Sequence, residues 1–132
     1  MIGLDTNVVL RYLLQDDAEH SPQANHIFDN QLSSDNPGYI NLASILEIVW
    51  VMQGRMKKRP AEIAEHLRGI LSRDEIVVQN AIQVYEAARA LKEGIAEFED
   101  ALIGTLNLWS GCSTTITFDR KASRLPYFQQ IF

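Results

Sequence analysis

The N-terminal stretch MIGLDTNVVLRYLLQ, residues 1–15, decides the fold. Its first four residues are apolar, as in a short buried strand. Asp5, Thr6 and Asn7 follow, and all three residue types favour the first positions of a helix. Apolar residues at helical spacing then continue to Gln15. A strand that passes directly into a helix is typical of α/β folds, which bind their ligands at the carboxyl edge of a parallel sheet. The sequence therefore predicts that Asp5 lies at such an edge.

The rest of the chain repeats this alternation of strand and helix. Because strands alternate with helical segments, we predict a parallel-dominated sheet with helices on its faces. Further strands are predicted at 38–41, 75–78 and 114–118, helices at 21–32, 43–56, 60–71, 80–92 and 97–110, a helical turn at 119–124, and a short last element at 127–132.

Composition limits the chain to one domain in a reducing environment. The 132 residues suffice for one hydrophobic core, and 12 basic against 17 acidic side chains give a formal net charge of −5. The single cysteine, Cys112, allows no intramolecular disulfide, which favours a cytoplasmic location. Apolar stretches fall well short of the roughly 20 residues that cross a bilayer, and no basic segment precedes the first one. We therefore expect neither a membrane span nor a signal peptide.

Two acidic residues directly follow predicted strands. Asp5 follows the first apolar run, and Asp119 follows the β-branched segment 114–118. Because parallel strands end at the same edge of a sheet, the topology favours a meeting of these carboxylates. Each also has a structural alternative, since an Asp that caps a helix contributes about 1 kcal/mol. Thr117 precedes Asp119 by two positions and shares its face of the strand, where its hydroxyl is placed to support that carboxylate.

Two further acids lie in apolar segments of predicted helices. Glu47 has apolar neighbours on both sides, so we expect it to be partly buried and to need a partner such as a metal. Alternatively, it pairs with Ser44 in a capping box. Asp100 lies where the helix dipole favours acids. Gly104 follows it by one turn, and because a mid-helix Gly costs about 1 kcal/mol, its presence indicates close packing and places Asp100 toward the core.

Carboxylates that meet in one place repel one another unless a cation or a proton intervenes. Oxygen ligands suit hard divalent ions such as Mg²⁺ and Mn²⁺, which assist phosphodiester cleavage. The acids therefore predict a metal site for cleavage of a phosphodiester. Basic side chains beside Asp119 are candidate phosphate contacts; they are Arg120, Lys121 and Arg124.

Four motifs, in this order, resemble the PIN-domain nucleases and most of all the VapC toxins of bacterial toxin–antitoxin pairs. The first motif alone is common, but the four together are specific and span nearly the whole chain. The resemblance implies a single PIN domain over residues 1–132, an α/β/α sandwich of three layers around a mainly parallel central sheet of roughly four or five strands. The motifs are Ile2-Gly3-Leu4-Asp5-Thr6-Asn7, Ser44-Ile45-Leu46-Glu47, Glu99-Asp100-Ala101-Leu102-Ile103 and Thr117-Phe118-Asp119-Arg120-Lys121-Ala122.

The resemblance also implies an activity and a set of site residues. Family members hold Mg²⁺ or Mn²⁺ on four acids and hydrolyse RNA with a water whose pKa the metal lowers. No acid of the pattern is missing, so an active endoribonuclease is expected. The four acids fall on Asp5, Glu47, Asp100 and Asp119, with Glu47 either a ligand or a residue that orients the water. Polar positions that shape the site fall on Thr6, Asn7 and Thr117.

Two protein partners follow from the same resemblance. A toxin of this kind has a cognate antitoxin, whose chain we expect to lie across an apolar groove. Our hypothesis places Trp50, Val51 and Met52 at the border of that groove, and the alternative is that this stripe is core. A homodimer is also expected, since soluble oligomers are most often two-fold dimers.

Functions of other classes remain open from the residues alone. A phosphatase of the haloacid-dehalogenase type resembles Asp-x-Asp near the N-terminus, but Asn7 takes the second position here, and the later Lys and Gly-rich loop are not evident. A non-catalytic α/β protein-binding module would use the acids only as caps and ion-pair partners. Structure-specific DNA nucleases of related architecture are generally larger.

Overall fold

The computed structural model describes residues 1–131, which form six α-helices and five short strands. They agree with the predicted elements to within a few residues, and the end of the last prediction, at Phe132, lies outside the described residues. A π-helical turn, Ile27–Gln31, follows α2, and a 3-10 turn, Ala122–Arg124, precedes β5. The strands are Ile2–Gly3 (β1), Gly38–Ile40 (β2), Ile76–Val78 (β3), Thr115–Thr117 (β4) and Phe128–Gln130 (β5), and the helices are Thr6–Leu14 (α1), His20–His26 (α2), Leu42–Gly54 (α3), Pro60–Leu71 (α4), Ala81–Lys92 (α5) and Phe98–Trp109 (α6).

The predicted α/β class is confirmed. Helices alternate with strands along the chain, and all three strand pairings are parallel. The strands form one sheet of three and one sheet of two. The chain divides into two compact units: the first contains Met1–Lys58 and Gly69–Ala81, and the second contains Arg59–Arg68 and the residues from Ile82 onward. Within residues 1–131, no helix has both the length and the hydropathy to cross a bilayer.

The first unit is built on the three-stranded sheet, in the order β1-β2-β3. Ile2 pairs with Gly38, and Gly38 pairs with Ile76 on its other side. Gly38 lies in close packing, because a Cβ there would lie 2.6 Å from Leu4 Cδ1 and would force that side chain to shift. The side chains of Val9, Leu10, Ile40, Ile45, Ile48 and Met52 form much of the buried core of this unit.

Polar residues follow each strand at the carboxyl edge of this sheet. Asp5 follows β1, Asn41 follows β2 and Gln79 follows β3. The Asn41 side chain accepts a hydrogen bond from Ser44 N at 2.9 Å and caps α3. Gln79 Oε1 accepts one from Leu42 N at 3.0 Å. The predicted Ser44–Glu47 capping box is therefore wrong: α3 begins directly after β2, and Asn41 takes the cap position.

The second unit contains β4, β5 and α6. Thr115 pairs with Phe128 in parallel register. The predicted close packing at Gly104 is confirmed, because a Cβ there would lie 2.7 Å from Phe128 Cζ and 2.7 Å from Tyr127 Cε2. The buried Thr105 hydroxyl donates to Tyr127 Oη at 3.1 Å, which fixes α6 against the segment that leads into β5. Gly111, with a φ of 100°, follows the Ser110 C-cap of this helix.

Candidate metal and catalytic site

Two of the four predicted acids lie side by side in the second unit. Asp100 is half-buried in the first turn of α6, and Asp119 follows β4. Burial raises the pKa of Asp100 above its ordinary value, and the nearby negative charges of Asp119, Glu99 and Glu97 raise it further. A hydrogen bond with the Asp119 side chain adds to this rise in pKa, because it favours the protonated form. The pair therefore carries an electrostatic strain that a cation would relieve.

The Asp119 side chain is held in place by the chain that follows it. Its Oδ1 accepts hydrogen bonds from Lys121 N at 2.8 Å and Ala122 N at 3.2 Å. Asp119 is thus both a cap of the short 3-10 turn and a neighbour of Asp100. Because both capping bonds fall on Oδ1, the cap does not require Oδ2.

Thr117 contacts Asp119 through the main chain. Its Oγ1 accepts a hydrogen bond from Asp119 N at 3.0 Å. The sequence predicted that this hydroxyl supports the Asp119 carboxylate. In the structure the hydroxyl instead accepts a hydrogen bond from the backbone N–H of Asp119. Thr117 therefore fixes the direction in which the chain leaves β4, and with it the position of the Asp119 side chain.

Asp5 occupies the N-cap position of α1 without using its carboxylate as a cap. Its backbone is extended, with φ −77° and ψ 154°, but its side chain makes no capping hydrogen bond. The side chain is exposed at the carboxyl edge of the three-stranded sheet. The main alternative for Asp5 was a helix cap, and the Asp5 carboxylate oxygens make no such capping bond. Of the two polar residues that follow, Thr6 is buried and Asn7 is exposed.

Glu47 is exposed on α3, so the expectation of a partly buried carboxylate is wrong. Ile45, Ile48 and Met52 take the core side of this helix, and Glu47 lies outside it with Trp50. Its exposure removes the argument that it needs a partner to offset burial.

The metal site of four acids stays a prediction. Asp5 and Glu47 belong to the first unit, and Asp100 and Asp119 belong to the second. Among residues 1–131, no group of three or more His, Cys, Asp or Glu side chains forms a ready-made metal site. The chemistry of the donors nevertheless fits Mg²⁺ or Mn²⁺, because the close pair offers carboxylate oxygens whose mutual repulsion a hard cation would offset.

The basic residues beside Asp119 differ in their surroundings. Arg120 and Arg124 are exposed. Lys121 is half-buried, and its Nζ donates to Glu97 Oε1 at 2.8 Å. The contact of Lys121 with a phosphate stays a prediction, and a phosphate would have to compete with this ion pair. The ion pair of Glu97 with Lys121 was not predicted from the sequence, although Glu97 precedes Asp100 by only three positions.

The predicted border of an apolar groove is only partly exposed. Trp50 is 67% exposed, but Val51 and Met52 are buried in the core. Leu46 precedes Trp50 by four positions and is 38% exposed, so these two side chains share one face of α3. The groove hypothesis is therefore wrong for Val51 and Met52, because their direction on the helix points them inward.

A family model for the PIN domain matches residues 2–126. The chain therefore belongs to the PIN-domain family, and its helices and parallel strands agree with the α/β/α fold of that family. PIN domains are in general nucleases, and they generally use divalent metal ions. Membership thus favours phosphodiester hydrolysis over the phosphatase and binding-module alternatives. No curated protein and no solved structure matches the chain.

Proposed function

We propose that this PIN domain is an endoribonuclease dependent on Mg²⁺ or Mn²⁺, and that it acts as the toxin of a toxin–antitoxin pair. We infer that residues 1–132 work as a single PIN domain and that Asp5, Glu47, Asp100 and Asp119 are its catalytic acids. The observation that carries the proposal is the close pair Asp100 and Asp119. Burial of Asp100 and the charge of its neighbour raise its pKa, which is costly for a purely structural pair and useful for a cation site.

Each acid has a distinct part in the proposed site. Asp100 and Asp119 would hold the ion with Asp5, whose carboxylate no cap bond engages. The exposed Glu47 would bind the ion or orient the attacking water. Backbone hydrogen bonds to Asp119 Oδ1 restrict that side chain before metal or substrate arrives, so less ordering is needed on binding.

When bound, the divalent ion would supply a water of lowered pKa and would neutralise charge on the scissile phosphate. The remaining tasks fall to side chains near the acids. Arg120 and Arg124 are exposed next to Asp119 and would contact flanking phosphates of the RNA. Asn7 would help to shape the site beside Asp5, Thr6 would hold the start of α1, and Thr117 would hold Asp119 through its backbone N–H.

The partners belong to the same proposal. The exposed Leu46 and Trp50 on α3 would form part of the surface that the antitoxin covers, because a soluble protein gains stability when such side chains are buried. Exposed Ile103 and Trp109 on α6 leave apolar surface for a homodimer.

RNA cleavage by the purified chain tests the proposal. Wild type with Mn²⁺ is expected to cut RNA, and the same protein in EDTA is not. Asp100→Asn is expected to lose cleavage with the fold intact. Asp35→Asn is the matched control, since it removes one negative charge from an exposed loop and should cut like wild type. Cleavage by Asp100→Asn at the wild-type rate would refute the assignment of the site.

Growth of a bacterial host tests the toxin role separately. Expression of the wild-type chain alone is expected to arrest growth, and expression of Asp100→Asn at the same level is not. Equal growth of the two strains, with cleavage established in the purified protein, would refute the toxin role while leaving the nuclease in place.

A further inference from the structure

The first unit contains a pocket of about 380 Å³ between α1 and α2. Its volume is at the lower end of the range for small-molecule sites, which suits a single planar ring system. We refer to the apolar lining residues, which are buried or half-buried, as the floor, and to the polar lining residues, most of which are exposed, as the rim. The apolar lining residues are Val8, Ala24 and Ile27, and the polar ones are Asn7, Arg11, Asp17, His20 and Gln23.

The charged groups of this pocket already have partners inside the protein. Arg11 Nη1 contacts Asp16 Oδ1 at 2.9 Å. His20 Nδ1 lies 3.3 Å from Asp17 Oδ1, which also accepts hydrogen bonds from Glu19 N and His20 N. Because Asp16 offsets the charge of Arg11 and the Asp17 carboxylate adds a negative charge, the pocket is poorly suited to a phosphate or another anion.

The two amide side chains of the pocket, Asn7 and Gln23, differ from the charged groups in their hydrogen bonding. No hydrogen bond within residues 1–131 engages the side chain of Asn7 or Gln23, although each carries a donor and an acceptor group. Both side chains are exposed and line the same pocket, one from α1 and one from α2. A ligand that fits has a flat apolar face for the floor and an edge with paired donor and acceptor groups for the amides.

A nucleobase has this combination of groups. Asn and Gln amides match adenine through two parallel hydrogen bonds, and an unpaired base in single-stranded RNA exposes both its face and its edges. Asn7 follows Asp5 by two residues in the first turn of α1. A base in this pocket would therefore belong to a nucleotide close to the phosphate that Asp5 helps to cleave.

We propose that this pocket binds an unpaired adenine next to the scissile phosphate, and that Gln23 is a specificity-determining residue that reads its edge. The inference rests on the proposed ribonuclease function, because it names the substrate feature that the site would select. The apolar floor holds the ring, Gln23 and Asn7 hold the edge, and the Arg11–Asp16 and His20–Asp17 pairs keep the walls of the pocket in place.

Binding of free nucleosides tests the pocket without any cleavage. Adenosine, guanosine, cytidine and uridine are each titrated into the metal-free protein in EDTA and followed by ¹H–¹⁵N NMR. Adenosine is expected to shift the Gln23 side-chain amide and the backbone amide of Ala24, with the tightest binding of the four. Gln23→Leu is expected to weaken adenosine binding roughly tenfold, in line with the discrimination of one bidentate contact.

Gln53→Leu is the control, because it removes an exposed helical amide outside the pocket and should bind adenosine like wild type. Equal adenosine affinity of wild type and Gln23→Leu would overturn the inference. Chemical-shift changes confined to other parts of the protein would also overturn the inference. The absence of changes with all four nucleosides would do the same, and is expected if the pocket receives a side chain of a protein partner.

Sequencing of cleaved RNA ends links the pocket to the reaction. Wild type is expected to show adenine enriched beside the cut, and Gln23→Leu is expected to cut with that enrichment lost. Enrichment that persists in Gln23→Leu would refute the role in specificity. Adenosine binding without any RNA cleavage would refute the proposed ribonuclease function, and with it the role of the pocket in selecting RNA. RNA cleavage without a preference for adenine would refute only the proposed role of the pocket.

Discussion

Replacement of Asp100 by Asn is expected to stabilise the metal-free protein while it abolishes nuclease activity. Burial and the charge of Asp119 both disfavour the ionised carboxylate of Asp100, as its raised pKa indicates. Asparagine keeps the size of the side chain and removes its charge. The substitution therefore removes repulsion from the folded protein and also removes a ligand from the proposed metal site.

The size of this effect is limited by solvent, since Asp100 is only half-buried. Screening reduces the repulsion to about 0.5–1 kcal/mol of unfolding free energy. For a chain of this length, such a gain corresponds to a rise in Tm of roughly 2–4 °C.

The stability that Asp100→Asn gains over wild type should increase as the pH rises. Because the pKa of Asp100 is raised, the folded protein binds this proton more tightly than the unfolded chain does. Wild type therefore loses stability as the pH rises from the ordinary Asp value of 3.8 through the folded pKa, and Asp100→Asn does not. The advantage of the variant is absent well below pH 3.8 and complete above the folded pKa.

Urea unfolding at a series of pH values, in EDTA and in Mn²⁺, measures the relief of repulsion in the metal-free protein and the loss of metal binding. In EDTA, Asp100→Asn should be the more stable protein at neutral pH. In Mn²⁺, wild type should gain stability by binding the ion in the folded state alone, and the variant should gain little. Asp35→Asn controls for the change in net charge. A variant less stable than wild type in EDTA, or stabilised equally by Mn²⁺, would refute the reasoning.

Three further substitutions test the surroundings of the site. Gly104→Ala places a methyl group against the Phe128 ring, and overpacking of about 1–3 kcal/mol should outweigh the gain of roughly 1 kcal/mol in helix propensity; urea unfolding at wild-type stability would contradict this packing. Asn41→Ala removes the cap of α3 and should cost about 1 kcal/mol in the same assay, and no loss would show that the cap bond contributes nothing. Thr117→Val removes the acceptor for Asp119 N and should lower kcat for RNA cleavage at saturating Mn²⁺, with rescue by Thr117→Ser; unchanged kcat in the valine variant would argue against a positioning role.

The sequence predicted the elements well because their signals are local. Helical spacing, caps and turn residues lie within a few positions of the feature that they specify. The packing at Gly104 was also readable, since a glycine inside an apolar helix lowers helix stability and is typical of a close approach by a neighbouring segment. The half-buried position of Asp100 agrees with its predicted place toward the core of its helix. The argument from topology concerned Asp5 and Asp119 instead, and their strands β1 and β4 belong to different sheets.

Other features depended on contacts that no local pattern carries. The helix α3 is apolar on most of its faces, so the sequence did not show that Glu47 and Trp50 face solvent while Val51 and Met52 face the core. The pair of Lys121 with Glu97 joins residues that lie 24 positions apart. The cap of α3 was assigned to the wrong residue because Ser44 and Glu47 have the spacing of a capping box, whereas Asn41, directly after β2, takes the cap position.

Diffraction from crystals grown in Mn²⁺, at a wavelength where manganese scatters anomalously, tests most directly whether acids distant in the sequence bind one ion. The proposal predicts an anomalous peak with oxygens of Asp5, Asp100 and Asp119 at about 2.1 Å, the short distance expected for a small hard cation. Asp5→Asn crystals should lack that peak. A manganese ion held by Asp100 and Asp119 with Asp5 outside the coordination sphere, or no peak near any of the three, would contradict the proposed catalytic site.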